Sequence, residues 1–165
     1  MTADPLAALA QATTDTDKEL ARLQDIVRQL SDGDLHRAHS GGGWSVAQVI
    51  SHINICAILW AGDVARVSRD PALAFFFREE VGHDAVGYPP PTVAIAVRQL
   101  DSTRRTVSSC TLAAPAGALE RTVEIPDLGT MTIAEWTPLI LGHLTGHVEQ
   151  AVEILRDRDA LPAGA

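Results

Sequence analysis

Apolar residues recur at intervals of three and four in four segments of the chain, the spacing that places them on one face of an α-helix. The first segment follows Pro5 and reaches about Leu30, with Asp4 placed as its N-terminal cap. A later start at Thr16 would instead leave residues 1–13 as a separate arm. No segment alternates apolar and polar residues over the length that a large sheet requires. The pattern therefore predicts a protein built mainly from helices.

Two of these helices have well-marked beginnings. The second begins at Ser45, where Gln48 completes an S-x-x-Q capping box, and runs to about Arg69. The fourth begins with the same device at Thr132 and runs to about Arg156. Because a capping box satisfies backbone N–H groups that a helix start leaves unpaired, these two boundaries are the firmest of the prediction.

The third helix is predicted from Thr92 to Ala113, and residues 71–91 before it are predicted as a long loop or a short broken helix. Three consecutive prolines in that stretch forbid a helix before Thr92. The segments RTVEI and GTMTI, between the third and fourth helices, predict a short β-ribbon. Four helices without a large sheet pack most economically as an all-α four-helix bundle, and the long middle connection leaves its topology open.

The composition indicates a single domain, and its charge argues against nucleic acid and membranes as partners. The chain has 165 residues, of which 46% are hydrophobic, so we expect a single domain over residues 1–158 and a frayed tail over residues 159–165. A formal charge of −8 would repel nucleic acid and anionic membrane surfaces. No uninterrupted apolar run approaches the ~20 residues that span a bilayer, and the N-terminal segment lacks a leader pattern, so we expect a cytoplasmic protein.

Two histidines of the fourth helix are the first candidates for chemistry. His143 and His147 lie one helical turn apart, where two imidazoles can bind one ion. They fall on the stripe that includes Ile140 and Ile154, which predicts that they face inward. An i, i+4 pair is a weak motif by itself, but two imidazoles that are costly to bury without a partner favour a metal.

His52 on the second helix is the natural third ligand, because it lies near the line of Ile53 and other apolar residues. Cys56, one turn further, could complete a closed tetrahedral site, although a small buried packing residue is the favoured interpretation. Gln150, one turn beyond His147, could hydrogen-bond a ligand or bound solvent, or simply fill space. The three remaining histidines lie in predicted loops and are assigned no ligand role: His36, His39 and His83.

With these motifs in order along the chain, the sequence resembles the DinB/YfiT-like metalloenzyme superfamily, which includes bacillithiol and mycothiol S-transferases and mycothiol-dependent maleylpyruvate isomerases. The resemblance rests on GGWSVAQVISHI, GTMTIAEW and HLTGHVEQ, and it covers nearly the whole chain. It implies an up-down-down-up bundle, often a homodimer, with a divalent metal on His52, His143 and His147. The isomerases of that family carry a carboxylate at one ligand position of the last helix, so two histidines there favour the transferase branch.

The resemblance and the three-histidine set together predict a metal-dependent enzyme. Three neutral imidazoles leave an open position on the ion, with Zn²⁺ and Ni²⁺ expected first, where a thiol would lose its proton near neutral pH. We expect transfer of a low-molecular-weight, mycothiol-like thiol to a small electrophile. Lys18 is the single lysine among 13 basic residues, and this preference for arginine suggests a GC-rich genome. Such a genome favours mycothiol over bacillithiol as the thiol. The alternatives are a hydrolase that uses metal-activated water and a non-catalytic, metal-stabilised bundle that binds a ligand or a partner.

Overall fold

The computed structural model describes residues 4–70, 87–112, 114, 117–125 and 128–162. Within them the predicted all-α bundle is confirmed, together with the short ribbon. The elements in chain order are α1 (Pro5–Val27), α2 (Asp32–Leu35), α3 (Val46–Arg69), α4 (Val93–Leu112), β1 (Thr122–Ile125), β2 (Gly129–Thr132) and α5 (Ile133–Asp157).

Polar contacts between α1 and α4 show that these helices run in opposite directions. The guanidinium of Arg104 donates to both carboxylate oxygens of Asp17, at 2.8 and 3.0 Å. About two turns further along α1, the amide of Gln24 donates to the carbonyl oxygen of Val97 at 3.0 Å. Residue numbers rise along α1 while they fall along α4, so the pair is antiparallel.

The helices α3 and α4, in contrast, run in the same direction. Asn54 donates to the hydroxyl of Thr103 at 2.9 Å, and further along both helices Val64 and Cys110 line one small cavity. Residue numbers therefore rise together along the two helices. Two consecutive helices can run parallel only when a long segment joins them, and residues 70–92 lie between α3 and α4 in the sequence.

The ribbon returns the chain to the end of α3, and α5 begins there. Arg121 donates to the carbonyl oxygen of Val67 near the end of α3 at 3.0 Å, and its own carbonyl accepts from the first residue of α5, Ile133. The helix α5 is consequently antiparallel to α3. The order is up-down-down-up, as the family resemblance implies, with α1 beside α4 and α5, and α3 beside the same two helices.

Most predicted boundaries agree with the structure within a few residues. The Asp4 carboxylate caps α1 by accepting from Leu6, and the helix is continuous from Pro5, so the alternative of a separate arm over residues 1–13 is wrong. The helix ends at Val27 rather than near Leu30, because the next residues tighten into i to i+3 turns.

The segments between the long helices agree with the sequence prediction only in part. The short helix α2, capped by the Ser31 side chain, lies between the first two predicted helices, where no helix was predicted. Four residues carry too little periodicity to be recognised from sequence. The ribbon is confirmed, with Thr122 opposite Thr132 and Ile125 opposite Gly129. Of the segment predicted over residues 71–91, residues 71–86 lie outside the described part of the chain.

The helix α3 supplies much of the core. Among the described residues it has the length and mean hydropathy, 1.2, that would allow a helix to cross a membrane. However, 61% of that window is buried inside the bundle, which is how the central helix of a folded domain behaves. Its buried positions face α4 and α5, and they include Ile50, Ile53 and Trp60.

Candidate metal centre

The start of α3 places the first candidate ligand. The Ser45 hydroxyl accepts from the backbone N–H of Gln48 at 3.3 Å, while the Gln48 side chain accepts from the Ser45 N–H at 2.9 Å, so the predicted capping box is present. His52 follows in the second turn and is 1% exposed. Its imidazole therefore lies in the core beneath the helix start.

The two histidines of α5 lie at the edge of the buried face and not within it, which corrects the predicted inward stripe. His143 is exposed and His147 is half-buried, whereas the residues that follow them, Leu144 and Val148, are fully buried. One residue corresponds to about 100° around a helix, so the apolar stripe runs through those two residues and the histidines flank it. Both imidazoles consequently border solvent.

The three imidazoles converge although one of them comes from another helix. The Nε2 atom of His143 lies 3.3 Å from Nε2 of His52 and 3.2 Å from Nε2 of His147. Two nitrogens that share a tetrahedral ion at 2.0–2.1 Å are about 3.3 Å apart. Each Nε2 atom carries either one hydrogen or one lone pair, so the His143 nitrogen cannot satisfy both neighbours by hydrogen bonding. A cation among the three lone pairs would satisfy them together, so the donor set fits a divalent metal.

The three nitrogens open into a cavity of about 390 Å³. Trp44 forms one wall, with its ring centroid 4.8 Å from that of His52 and 6.0 Å from that of His147. Gly146 leaves another wall without a side chain, since a Cβ there would meet no atom within 4 Å. The described residues that line the cavity include no Asp, Glu, Lys or Arg: Trp44, His52, His143, Gly146, His147 and Gln150.

The sequence did not single out Trp44 as a site residue. The loop that carries it is tied to the end of α5, because Asp157 accepts from both the backbone N–H and the hydroxyl of Ser40, at 2.7 and 2.6 Å. Arg158 donates to the Ala38 carbonyl oxygen at 2.7 Å. A large aromatic residue directly before a helix cap that precedes His52 is the signal that could have identified it.

The contact with Ser40 changes the acidity of the Asp157 carboxyl group. The Ser40 hydrogen bonds, followed by the nearby charges of His39 and Arg158, hold the pKa of the Asp157 carboxyl below its usual value. The carboxylate is therefore charged at neutral pH, where it accepts both hydrogen bonds from Ser40.

Gln150 is one of the residues that line the cavity, and its side chain contacts His147. Its side-chain oxygen Oε1 lies 2.7 Å from Nδ1 of His147, on the side of the ring opposite the nitrogen that faces His143. The sequence suggested a contact with a ligand or solvent. The structure places the amide behind a candidate ligand instead.

Cys56 lies directly beside His52. Its Sγ atom is 3.4 Å from Nε2 of His52, and the candidate ligand atoms of His52, Cys56 and His143 all lie within 4.8 Å of one another, a group that could hold a metal ion. Burial raises the pKa of the Cys56 thiol to about 11. Without a metal, the Cys56 side chain is thus an uncharged thiol at neutral pH. We interpret it as a residue that packs beside the His52 ring.

The remaining histidines lie elsewhere. The His36 ring contacts the Pro91 carbonyl oxygen at 3.2 Å, and the His39 ring approaches Asp157 at 3.5 Å. Neither of them lines the cavity. His83 lies outside the described residues.

The adjacent arginines Arg104 and Arg105 on α4 are both engaged in ion pairs. Arg104 binds Asp17 with two hydrogen bonds, and this contact lowers the pKa of the Asp17 carboxyl. Arg105 pairs with Asp101 on the exposed face of α4. Both guanidinium groups are therefore paired with carboxylates of the bundle, and neither lines the cavity.

Comparisons with known proteins agree with this architecture. A family model described as the DinB superfamily matches residues 15–151. YfiT from Bacillus subtilis, described as "a probable metal-dependent hydrolase with an unusual four-helix bundle topology", has a similar structure, with a TM-score of 0.70, 16% identity, and coverage of 92% of this chain and 87% of that one. A variant of a mycothiol-dependent maleylpyruvate isomerase has a TM-score of 0.59 and 12% identity over 91% of this chain, which spans 59% of that protein. No curated protein matches the sequence significantly.

Proposed function

We propose that this chain, which belongs to the DinB superfamily, is a divalent-metal-dependent enzyme that transfers a low-molecular-weight, mycothiol-like thiol to a small electrophile. The proposed ligands are the Nε2 atoms of His52, His143 and His147, and Zn²⁺ or Ni²⁺ suits three imidazoles. The observation that carries the proposal is the convergence of these nitrogens, 3.2 and 3.3 Å apart, at an open cavity.

The neutrality of the ligands supports an enzyme over a purely structural site. A bound divalent ion would supply Lewis acidity that lowers the pKa of a thiol or water. The described lining residues include no carboxylate, so nothing among them would offset that charge. Burial favours the protonated form of the Cys56 thiol beside His52, and the cavity leaves room for an external donor on the solvent side.

The walls support a small, largely apolar co-substrate. Trp44 packs against the imidazoles of His52 and His147 and forms an apolar wall on one side. Gly146 keeps space beside His147. A compact electrophile such as an epoxide, an activated halide or a conjugated alkene would fit between the two. The mycothiol dependence of the isomerase that shares the fold makes mycothiol the first thiol to test.

Metal content provides the first test. Protein purified without an affinity tag and resupplied with Zn²⁺ or Ni²⁺ should retain about one equivalent, and the His147→Ala variant much less. The His36→Ala variant is the matched control, because His36 is exposed and lies outside the cavity. A wild-type content below about 0.2 equivalents after resupply would refute the proposal.

Turnover provides the second test. Consumption of an activated aryl halide or an epoxide should require a thiol, and mycothiol should be the most effective. The Gly146→Leu variant should bind metal normally but lose turnover, because its side chain would extend into the cavity. Turnover of a small ester without any thiol would favour a hydrolase, the function described for YfiT. Metal binding without turnover of any of these substrates would favour a bundle that the metal merely stabilises.

The broader expectations accompany this proposal. We propose a small-molecule substrate, no nucleic-acid partner, a cytoplasmic location and a homodimer. Light scattering after size-exclusion chromatography measures the oligomeric state directly, and a monomeric mass at micromolar concentration would contradict the homodimer.

A further inference from the structure

Gln150 has a role that the position of its side chain defines. It lies three residues after His147 on α5, and its Oε1 atom is 2.7 Å from the His147 Nδ1 atom. A carboxamide oxygen can only accept, so the hydrogen of the neutral imidazole resides on Nδ1. The second ring nitrogen, Nε2, then carries the lone pair, and this is the nitrogen 3.2 Å from His143.

The choice of tautomer decides whether His147 can bind a cation. A neutral imidazole with its hydrogen on Nε2 would direct a donor at His143 and could not coordinate a cation from that atom. Histidine ligands in metal sites are commonly held by a hydrogen bond to their second nitrogen. His147 is half-buried and comes from the same helix as Gln150, so this hydrogen bond can form before any ion arrives.

The side chain that accepts the hydrogen bond from His147 carries no charge. In many metal sites a carboxylate accepts this hydrogen bond and contributes a negative charge. Here the acceptor is an amide, and none of the described lining residues is acidic. The full positive charge of a bound ion therefore remains available to an anionic fourth ligand.

We infer that Gln150 is a positioning residue that holds His147 in the tautomer whose Nε2 lone pair faces the cavity, without adding negative charge to the site. The inference rests on the proposed metal function, but its first part concerns the protein without metal. The two can therefore be tested separately.

The tautomer is measured by long-range ¹H–¹⁵N correlation NMR of the metal-free protein at a pH of about 8, where imidazoles are neutral. Wild-type His147 should show the Nδ1–H pattern, and Gln150→Leu should show a mixture or the Nε2–H pattern. Gln150→Glu, which retains an acceptor, should restore the wild-type pattern. An unchanged His147 pattern in a folded Gln150→Leu protein would overturn the inference.

Zn²⁺ affinity is measured by competition with a chromophoric chelator. Gln150→Leu should weaken binding by about 10- to 100-fold, the usual effect of removing such a partner, and Gln150→Glu should restore it. Matched controls are Gln29→Leu and Gln29→Glu, the same changes at an exposed glutamine near the end of α1, and they should leave affinity unchanged. Equal affinities of the wild type and Gln150→Leu would overturn the positioning role. If even the wild type binds no Zn²⁺, the proposed function fails, and the NMR result still decides the tautomer.

The charge argument is tested with azide as an anionic probe of the Co²⁺-loaded protein. Gln150→Glu should bind azide several-fold more weakly than the wild type, because its carboxylate lies behind a ligand of the ion. Gln29→Glu, with the same charge change on the surface, should match the wild type. Azide affinity that is equal in Gln150→Glu and the wild type would overturn this part of the inference.

Discussion

Replacing Leu144 with alanine should destabilise the bundle strongly, whereas the same substitution at Leu139 should have little effect. The two leucines lie on α5 little more than one turn apart. Leu144 is 0% exposed within the core cluster, and Leu139 is 52% exposed. The comparison tests which face of α5 is buried, and that face decides where His143 directs its imidazole.

The expected magnitude follows from burial. Removal of a fully buried leucine side chain costs about 2.7–5 kcal/mol, because transfer energy is lost and a cavity remains. In a domain of this size each kcal/mol lowers the melting temperature by about 2–4 °C, so Leu144→Ala should lose about 5–20 °C. Leu139 already contacts water over half of its surface, and its truncation should cost less than about 1 kcal/mol.

Urea unfolding monitored by circular dichroism measures both free energies. The dependence of the unfolding free energy on urea should be similar for the wild type and both variants, which indicates that the same folded state is compared. Equal losses at Leu139 and Leu144 would refute the assignment of the buried face. The convergence of the histidines would then be refuted with it, because a rotation of α5 would move His143 away from His52.

Three further predictions concern the site and its surroundings. Zn²⁺ at about 100 times its dissociation constant should stabilise the wild type by about 2.7 kcal/mol, which raises the melting temperature by about 8 °C. Differential scanning calorimetry should show the same gain in His36→Ala but not in His147→Ala. A gain in His147→Ala would contradict the proposed set of metal ligands. The Ser40 hydrogen bonds lower the pKa of Asp157, so the contribution of its carboxylate to stability is present above the ordinary pKa of 3.8 and is lost as the pH falls through the folded-state pKa. The difference in unfolding free energy between the wild type and Asp157→Asn should therefore be constant above about pH 5 and shrink below about pH 4. A difference that stays constant at every pH would contradict this account. Thr132→Ala removes the cap of α5 and should cost about 1 kcal/mol in urea unfolding, with no loss indicating that the capping box contributes nothing.

The helical elements were predictable because their signals are local. The caps at Ser45 and Thr132 depend on residues three positions away, and both are present as expected. Apolar spacing identified the long helices for the same reason. Pairing of the ribbon also followed from neighbouring segments, with Thr122 opposite Thr132.

The details of the site were less predictable because they depend on small rotations. The apolar stripe of α5 was assigned through His143 and His147, whereas Leu144 and Val148 carry it. An error of one residue rotates a side chain by about 100°, and mixed positions at the edge of a stripe do not resolve that angle. Trp44 was missed because its contact with the imidazoles depends on a loop docked against the end of α5.

The sequence by itself determined the four long helices, where the capped ones begin and which three imidazoles are available. Only the tertiary structure decided that His52 meets His143, 91 positions later in the chain, at an Nε2 to Nε2 distance of 3.3 Å. It also decided that Gln150 contacts His147 and that a cavity opens beside them. Helix formation is governed by neighbours in sequence, whereas these contacts depend on how α3 and α5 pack, and that packing is set jointly by the buried side chains of the whole bundle.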